Sequence, residues 1–309
     1  MPPRVLLSWS SGKDSAWTLH VLRQQDVDVV GLLTTFNEAA GRVAMHAVRR
    51  TLVEAQATAA GLPLWQVPLP WPCSNATYEQ RMLAVIARAR EEGITHVAFG
   101  DLFLQDIRDY RVRQLAATGI EPLFPLWCSP ADTPDLARRM LGGGLRAVLT
   151  CADPRQLPEA FVGRPYDTAL LADLPPGVDP CGERGEFHTF CFGGPMFTTE
   201  IAVQVGETVS RDGFCFVDLL PRAVSGSRGR PARRSGTEDC DSPTAVGLCW
   251  SCRRSRRVQN RRGSVFFRCS RAESDRRFAR YPRLPVRTCS GYEESLEPEK
   301  DDGSKSANG

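Results

Sequence analysis

The residues near the start of the chain that are best suited to chemistry form the segment SWSSGKDS at positions 8–15. Its hydroxyl groups, glycine and lysine ammonium together suit the binding of an anion. The apolar run 5–7 predicts a buried strand before it, and apolar residues at helical spacing over 16–22 predict a helix after it, capped by Asp14 or Ser15. We therefore expect a phosphate-binding loop at a helix N-terminus. The residues expected to contact the phosphates are Ser8, Ser10, Ser11, Gly12, Lys13, Asp14 and Ser15.

A Walker A loop is the main alternative for such a segment, and the sequence argues against it. That motif requires Ser or Thr after Gly-Lys and a glycine five positions before the second glycine. Here Asp14 follows Lys13, and Leu7 occupies the earlier position. Lys13 is also the only lysine before Lys300, in a chain that otherwise uses arginine, which favours a role for a compact ammonium at this point. A plain surface turn is the other interpretation.

A second segment, CGERGEFHT at positions 181–189, holds two carboxylates and an imidazole within a few residues. Glycines and prolines flank it, so we predict a bounded loop and not the interior of a helix. If this loop folds over a nucleotide, Glu183 and Glu186 could orient an amine nucleophile or hold Mg²⁺, and His188 could move a proton. The alternative is a turn whose acids are solvated and whose histidine caps a strand.

The elements that must position these residues alternate between strand and helix. Such alternation predicts an α/β fold, with a doubly wound parallel sheet covered by helices on both faces. Apolar stripes that include Leu52, Met82 and Met140 indicate three of the helices. Besides the run at 5–7, the predicted strands cover residues 27–34, 64–67, 95–100, 122–124 and 145–150.

Four separated motifs resemble, in their order, the diphthine–ammonia ligase family in its prokaryotic branch. This family belongs to the PP-loop ATP pyrophosphatases, which are adenine nucleotide alpha hydrolase-like proteins with a HUP, or Rossmann-like, fold. The resemblance extends from about residue 3 to about residue 220. Ser11 stands where the family pattern SGGKDS usually has its first glycine. The motifs lie at positions 10–15, 36–38, 99–111 with 122–127, and 181–189.

The resemblance implies an ATP-dependent ligase that forms an amide in two steps. With ATP and Mg²⁺, the enzyme activates a carboxylate as an acyl-adenylate and releases pyrophosphate; ammonia then displaces AMP. In the family, the carboxylate belongs to diphthine, a modified histidine of translation elongation factor 2. Loop donors and a lysine would neutralise the charge that grows on pyrophosphate. The residues to which the resemblance gives catalytic roles are Lys13, Glu183, Glu186 and His188.

The family fold also places a particular strand beside the first one. That neighbour is the fourth strand, which here corresponds to 95–100, and ligands bind at the carboxyl ends of such strands. Gly100 would then allow close approach of a base or ribose, and Asp101 could hold Mg²⁺ or a ribose hydroxyl. A strand-ending Gly-Asp turn is the alternative.

Two other functions remain open at this stage. A tRNA-modifying PP-loop enzyme of the thiolase type would need a catalytic cysteine near the nucleotide, and Cys128 and Cys151 are the candidates. The 181–189 segment argues against that reading. A non-catalytic ATP-binding sensor would bind ATP without releasing pyrophosphate.

Composition indicates an ordinary soluble protein with room for two domains. The 309 residues are 42% hydrophobic and 24% charged. No apolar run approaches the roughly 18 residues that indicate a membrane span, and Lys13 comes too early for a secretory signal. The eleven cysteines are unevenly spaced, which favours reduced thiols or metal ligands over a disulfide framework. We expect a cytoplasmic protein that does not associate with membranes.

The charge of the chain is divided between its two parts. Residues 1–221 carry 19 Arg and Lys against 25 Asp and Glu, whereas residues 222–309 carry 20 against 11. Such asymmetry indicates different surroundings for the two parts. The predicted organisation is a PP-loop domain at 1–125, a smaller α+β substrate domain at 126–221, a flexible linker at 222–245, a basic cysteine module at 246–293 and a disordered tail at 294–309.

The basic module carries a cysteine pattern, C-x2-C-x16-C-x19-C. The first pair has the spacing that lets two thiolates bind one tetrahedral Zn²⁺, but the second pair does not repeat it, so free thiols are the alternative to a zinc-ribbon-like site. The module holds 13 Arg against three acids, with aromatic residues between them. This pattern suits RNA, although so small a module also needs its aromatics for a core. The predicted zinc ligands are Cys249, Cys252, Cys269 and Cys289.

Overall fold

In a computed structural model, the described part of the chain forms three β-sheets. The structure describes residues 2–43, 48–70, 73–211 and 213–222, together with the backbone of 255–259 and 265–269. These residues fall into two units, one within Met1–Ser227 and one within Arg228–Gly309. The boundary near residue 125 stays a prediction.

The strands and helices of the first unit follow the predicted alternation through its first half. Two short 3₁₀ turns, Pro130–Asp132 and Glu159–Phe161, accompany them. The elements are β1 (Arg4–Ser8), α1 (Lys13–Arg23), β2 (Asp28–Asn37), β3 (Arg42–Val43), α2 (Arg50–Ala60), β4 (Leu64–Leu69), α3 (Asn75–Glu91), β5 (His96–Ala98), α4 (Gln105–Leu115), β6 (Glu121–Leu123), α5 (Thr133–Gly142), β7 (Arg146–Ala152), α6 (Thr168–Asp173), β8 (Phe187–Gly193), β9 (Val203–Arg211) and β10 (Phe214–Pro221).

The first sheet is mixed but mostly parallel. Its order is β3-β2-β1-β5-β6, and β4 also pairs with β2. Strand β1 pairs in parallel with β2 on one side and with β5 on the other, so the order reverses beside β1. The prediction that the strand at 95–100 neighbours the first strand is confirmed. It is the fifth strand in the chain because the short β3, antiparallel to β2, was not predicted.

Both faces of this sheet are covered, as expected for a doubly wound fold. Side chains alternate along β1, so Val5 and Leu7 join one buried cluster while Leu6 joins the other. The first cluster includes Leu19 from α1 and residues of α2 and α5. The second includes Ile86 from α3 and Leu115 from α4. The sheet is therefore buried on both sides.

The second sheet is antiparallel, in the order β8-β7-β10-β9. The strand predicted at 145–150 is present as β7, but its placement in the parallel sheet was wrong. Six of the seven residues of β7 are buried, and such a continuous apolar run is equally compatible with a buried strand in either kind of sheet. Together with α5 and α6, this sheet forms an α+β half that follows the first.

The start of α1 also differs from expectation. The helix begins at Lys13, its N-cap is Gly12, and no side chain forms a capping hydrogen bond. Asp14 and Ser15 therefore lie inside the first turn, so the prediction that one of them caps the helix was wrong. As a residue of the first turn, Asp14 still places a carboxylate at the positive end of the helix dipole.

The second unit contributes one described hairpin, in which β11 (Ser255–Gln259) pairs antiparallel with β12 (Val265–Cys269). The zinc-ribbon prediction finds no support, since Cys249, Cys252 and Cys289 lie outside the described residues. Where the structure describes the chain, no three His, Cys, Asp or Glu residues are grouped to hold a metal ion. Within the same residues, no helix is long and apolar enough to cross a membrane.

Candidate functional site

Hydroxyl groups of the β1–α1 loop, residues 9–12, and of the first turn of α1 form hydrogen bonds with one another and with the loop backbone. The Oγ atoms of Ser10 and Ser15 lie 3.1 Å apart, and Ser15 Oγ donates to the Gly12 carbonyl at 3.0 Å. The Gly12 N–H donates to Ser10 Oγ at 3.3 Å. Ser11 has a φ of 72°, a conformation that glycine adopts without strain. The backbone therefore explains why a glycine suits this position.

Lys13 lies between the two halves of the first unit. Its side chain is 2% exposed, and its Nζ donates to both carboxylate oxygens of Asp14, at 2.9 and 2.8 Å, and to the Cys181 carbonyl. Its backbone N–H donates to Thr189 Oγ1 at 3.0 Å. Burial would lower the pKa of Lys13, but the charge of Asp14 raises that pKa above its ordinary value. The ammonium is therefore charged at neutral pH.

Glu183 reaches the first half from the 181–186 segment. Its Oε1 accepts a hydrogen bond of 2.8 Å from the Leu102 N–H, just beyond β5. Burial, and then the negative charge of Asp14, raise the pKa of Glu183 to about 8. A carboxyl group with such a pKa exchanges protons near physiological pH, as a general acid or base must.

Glu186 has a different environment, although the sequence places it only three residues later. It is 1% exposed, and its Oε1 accepts the Asp179 N–H at 2.9 Å. Asp179 Oδ2 in turn accepts the Glu183 N–H at 2.9 Å. The second oxygen of Glu186 has no hydrogen-bond partner among the residues that the structure describes. Glu186 and Asp179 thus link the two ends of the segment that carries Glu183 by hydrogen bonds. The Oε2 atom of Glu186 remains available as an acceptor among the described residues.

His188 lies in β8 and not in the loop, and its side chain lines a cavity. Burial, with the nearby charge of Lys13, lowers the pKa of His188 to about 4. The imidazole is therefore neutral at pH 7, and its affinity for a proton is lower than that of an ordinary histidine.

Gly100 and Asp101 follow β5 at the carboxyl edge of the first sheet. A Cβ atom at Gly100 would lie 3.1 Å from backbone atoms of Asp14 and Ser15, so Gly100 allows the strand end to pack against the first turn of α1. Asp101 Oδ2 is 3.6 Å from Arg111 Nε. Burial raises the pKa of Asp101, although the charge of Arg111 opposes this shift.

The cavity beside the loop has a volume of about 390 Å³. It opens between the carboxyl ends of the first sheet and the helices α3 and α4. The helical wall was not predicted, because the apolar stripe that includes Met82 was interpreted only as evidence for a helix. In α3 only Ile86 and Ala89 are fully buried. The lining residues are Ser8, Trp9, Ser10, Leu33, Thr35, Val43, Tyr78, Met82, Leu83, Ile86, Val97, Phe99, Tyr110, Arg111, Gln114, Leu115 and His188.

Two family models match this chain. The model described as diphthamide synthase N-terminal domain matches residues 3–112, from β1 into α4, and the one described as diphthamide synthase C-terminal domain matches residues 132–220, which include the second sheet. The two ranges together cover more than half of the chain. It belongs to the diphthamide synthase family.

Curated relatives agree with this assignment. The chain is 27% identical to a protein named diphthine–ammonia ligase from Danio rerio over 241 residues, which are 70% of this chain and 93% of the relative. It is 30% identical to the Homo sapiens protein of that name over 146 residues, 45% of this chain and 53% of the relative. The Bos taurus protein is 27% identical over 143 residues, 44% of this chain and 52% of the relative. The chain thus spans about half the length of its mammalian relatives.

The two family domains meet at the site. Lys13 and Leu102 belong to the part matched as N-terminal domain, whereas Cys181, Glu183 and Thr189 belong to the part matched as C-terminal domain. Hydrogen bonds join them: Lys13 to Cys181 and Thr189, and Leu102 to Glu183. The structure thereby brings three of the sequence motifs into contact.

The cysteines required by a thiolase-type enzyme are not activated. Burial raises the pKa of the Cys151 thiol to about 12, and burial also raises the pKa of the Cys128 thiol. The nucleophilic form of cysteine is the thiolate, so both side chains are in the unreactive form at neutral pH.

Proposed function

We propose that this member of the family is an ATP-dependent ligase that forms a carbon–nitrogen bond. The enzyme adenylates a carboxylate, releases pyrophosphate and replaces AMP with ammonia. The observation that carries the proposal is the contact between the β1–α1 loop and the 181–186 segment. It places the Lys13 ammonium and a carboxyl group with a pKa of about 8 in one buried site.

The proposed place for ATP follows from the loop and the cavity. The volume of about 390 Å³ lies within the range of small-molecule sites, which are mainly apolar with a few polar groups. We place the adenosine beside the aromatic rings of Tyr78, Phe99 and Tyr110. Ser8 and Ser10 line the same cavity, so the phosphates would extend from it over the loop, toward the N-terminus of α1.

In this proposal Lys13 supplies the positive charge of the protein, and carboxylates bind the Mg²⁺ that accompanies ATP. Lys13 supplies positive charge close to the departing pyrophosphate. Mg²⁺ bound with ATP needs only one or two protein carboxylates besides phosphate oxygens and water. Asp101 is the first candidate, in which case Mg²⁺ would replace Arg111, whose Nε lies 3.6 Å from Asp101 Oδ2. Asp14 is the second candidate.

The second step of the proposed reaction needs a proton acceptor. The nitrogen of ammonia bonds to the acyl carbon, the bond from that carbon to the AMP oxygen breaks, and AMP departs with the electron pair. The ammonia nitrogen must then lose one proton. Glu183 in its ionised form accepts this proton. Because its pKa is about 8, the ionised fraction of Glu183 increases as the pH rises through 8. His188, with a pKa of about 4, is the weaker alternative base.

The proposed acceptor is a diphthine residue on a protein of the translation elongation factor 2 type. The support for it is the name shared by the curated relatives, diphthine–ammonia ligase. The raised pKa values of Cys128 and Cys151 disfavour the tRNA-thiolase alternative. RNA binding by the basic module stays a prediction, because most of residues 246–293 lie outside the described residues.

The test is the release of AMP and pyrophosphate from ATP, with fractions of cell extract as the source of acceptor. We expect AMP and pyrophosphate to appear in equal amounts. We expect amide formation to require both acceptor and ammonium. Release of inorganic phosphate and ADP would contradict the proposed adenylation. Tight ATP binding with no release under any condition would favour the sensor alternative.

A further inference from the structure

We infer that Gln56, a residue of α2 outside every recognised motif, is a positioning residue that holds the β1–α1 loop in its anion-binding shape. This inference rests on the proposed nucleotide-binding function of that loop. It identifies the group that keeps Ser11 in an unfavourable backbone conformation.

Ser11 is the residue that needs holding. Among the described residues, it alone has a positive φ without being glycine, a conformation that residues with side chains seldom adopt. Its own hydroxyl does not fix it, since Ser11 Oγ is buried without a hydrogen-bond partner in the described chain. Strained residues persist only where surrounding contacts determine their conformation.

The contacts that determine it act on the Ser11 carbonyl. That oxygen accepts the Cys191 N–H at 2.9 Å and Gln56 Nε2 at 3.0 Å. The Nε2 of Gln56 also donates to the Cys191 carbonyl at 2.6 Å, while its Oε1 accepts the indole N–H of Trp9 at 2.8 Å. Gln56 is fully buried, so its amide joins both ends of the loop to β8 in a site that water does not reach.

The direction of the Ser11 carbonyl sets the direction of the next amide. A peptide bond is planar and trans, so its C=O and N–H point in opposite directions. Because the Ser11 carbonyl points toward Gln56 and β8, the Gly12 N–H points away from them. It faces Ser10 Oγ, and Ser10 lines the cavity. Gln56 thus turns a backbone donor toward the side on which we place the phosphates.

The experiment combines Gln56→Met, which keeps the volume but loses the amide, with Ser11→Gly, which removes the strain. Wild type, both single variants and the double variant are compared by calorimetric ATP affinity and by thermal unfolding without ATP. Gln66→Met, a change of the same type at an exposed residue of β4, is the matched control. Should Gln56→Met not fold, Gln56→Glu replaces it, because it keeps the acceptor for Trp9 and loses the Nε2 donor.

We expect Gln56→Met to weaken ATP binding roughly tenfold or more, since a misplaced binding group loses most of its contribution. Ser11→Gly in the same chain should restore much of this loss, because glycine adopts a positive φ without help. Ser11→Gly should also raise the unfolding temperature of Gln56→Met more than that of wild type. The inference is overturned if folded Gln56→Met binds ATP like wild type, or if the two changes are additive in both measurements. Failure of wild type to bind ATP would instead refute the proposed function. The unfolding temperatures of the four proteins would still test whether Gln56 stabilises the backbone conformation of Ser11.

Discussion

Replacing Glu183 by Gln tests the electrostatics of the site through stability alone. The change keeps an acceptor for the Leu102 N–H and removes the ionisable group. The pKa of Glu183 rises from 4.5 to about 8 in the folded chain, mainly through burial. Below pH 4.5 the group is protonated in both states and carries no penalty. Between pH 4.5 and 8 the unfolded chain ionises while the folded chain keeps its proton, so wild type loses stability as the pH rises.

The magnitude follows from the size of the shift. One pKa unit corresponds to about 1.4 kcal/mol, so the complete loss above pH 8 is on the order of 5 kcal/mol. Gln does not titrate, so the advantage of Glu183→Gln over wild type should grow by this amount between pH 4 and pH 9. At about 2–4 °C per kcal/mol for a unit of this size, the melting temperatures should diverge by on the order of 10 °C.

The assay is denaturant unfolding of wild type and Glu183→Gln at several pH values from 4 to 9. Glu207→Gln, on the exposed strand β9, controls for the loss of one carboxylate. A difference between wild type and Glu183→Gln that stays constant over this range would refute the reasoning. It would mean that the carboxyl group ionises equally easily in the folded and unfolded chains.

Three further predictions concern chemistry and metal. Lys13→Met, which keeps the buried volume, should lower pyrophosphate release roughly a hundredfold or more by removing charge stabilisation; normal release by folded protein would exclude Lys13 from the chemistry. Glu186→Gln, which keeps an acceptor for Asp179, should bind ATP almost normally but form less amide, as measured by calorimetry and product analysis; a large loss of ATP affinity would place Glu186 in the nucleotide site. Purified protein should contain about one equivalent of zinc, lost when Cys249 and Cys252 are both changed to Ser; metal analysis that finds none would leave reduced thiols.

The parts of the fold that the sequence predicted are those with strong local patterns. The apolar run before the β1–α1 loop, the helical stripe after it and the strand at 95–100 each appear near their expected positions. The hairpin β9–β10 was not predicted, because β9 is mostly exposed and carries no clear alternation. The sheet to which β7 belongs depends on β8 and β10, which follow it in the chain and were not identified as its partners.

The roles within the site were harder to predict because they depend on distant partners. Glu183 and Glu186 look equivalent in the sequence, yet one contacts Leu102 and the other contacts Asp179. Gln56 carries no motif, and its partners Ser11 and Cys191 lie 45 and 135 residues away. Only the packed structure brings such groups together, so local spacing cannot reveal them.

The hydrogen bond from the Lys13 N–H to Thr189 Oγ1 spans 176 residues of sequence. During synthesis, the β1–α1 loop leaves the ribosome long before β8 exists. The loop is therefore completed only when β8 has been translated and has docked. Nucleotide cannot guide the folding of the early sheet through contacts that are not yet formed. If ATP binds this loop as proposed, it would bind only after β8 has docked. It would then slow amide hydrogen exchange at Lys13 and Cys191 together.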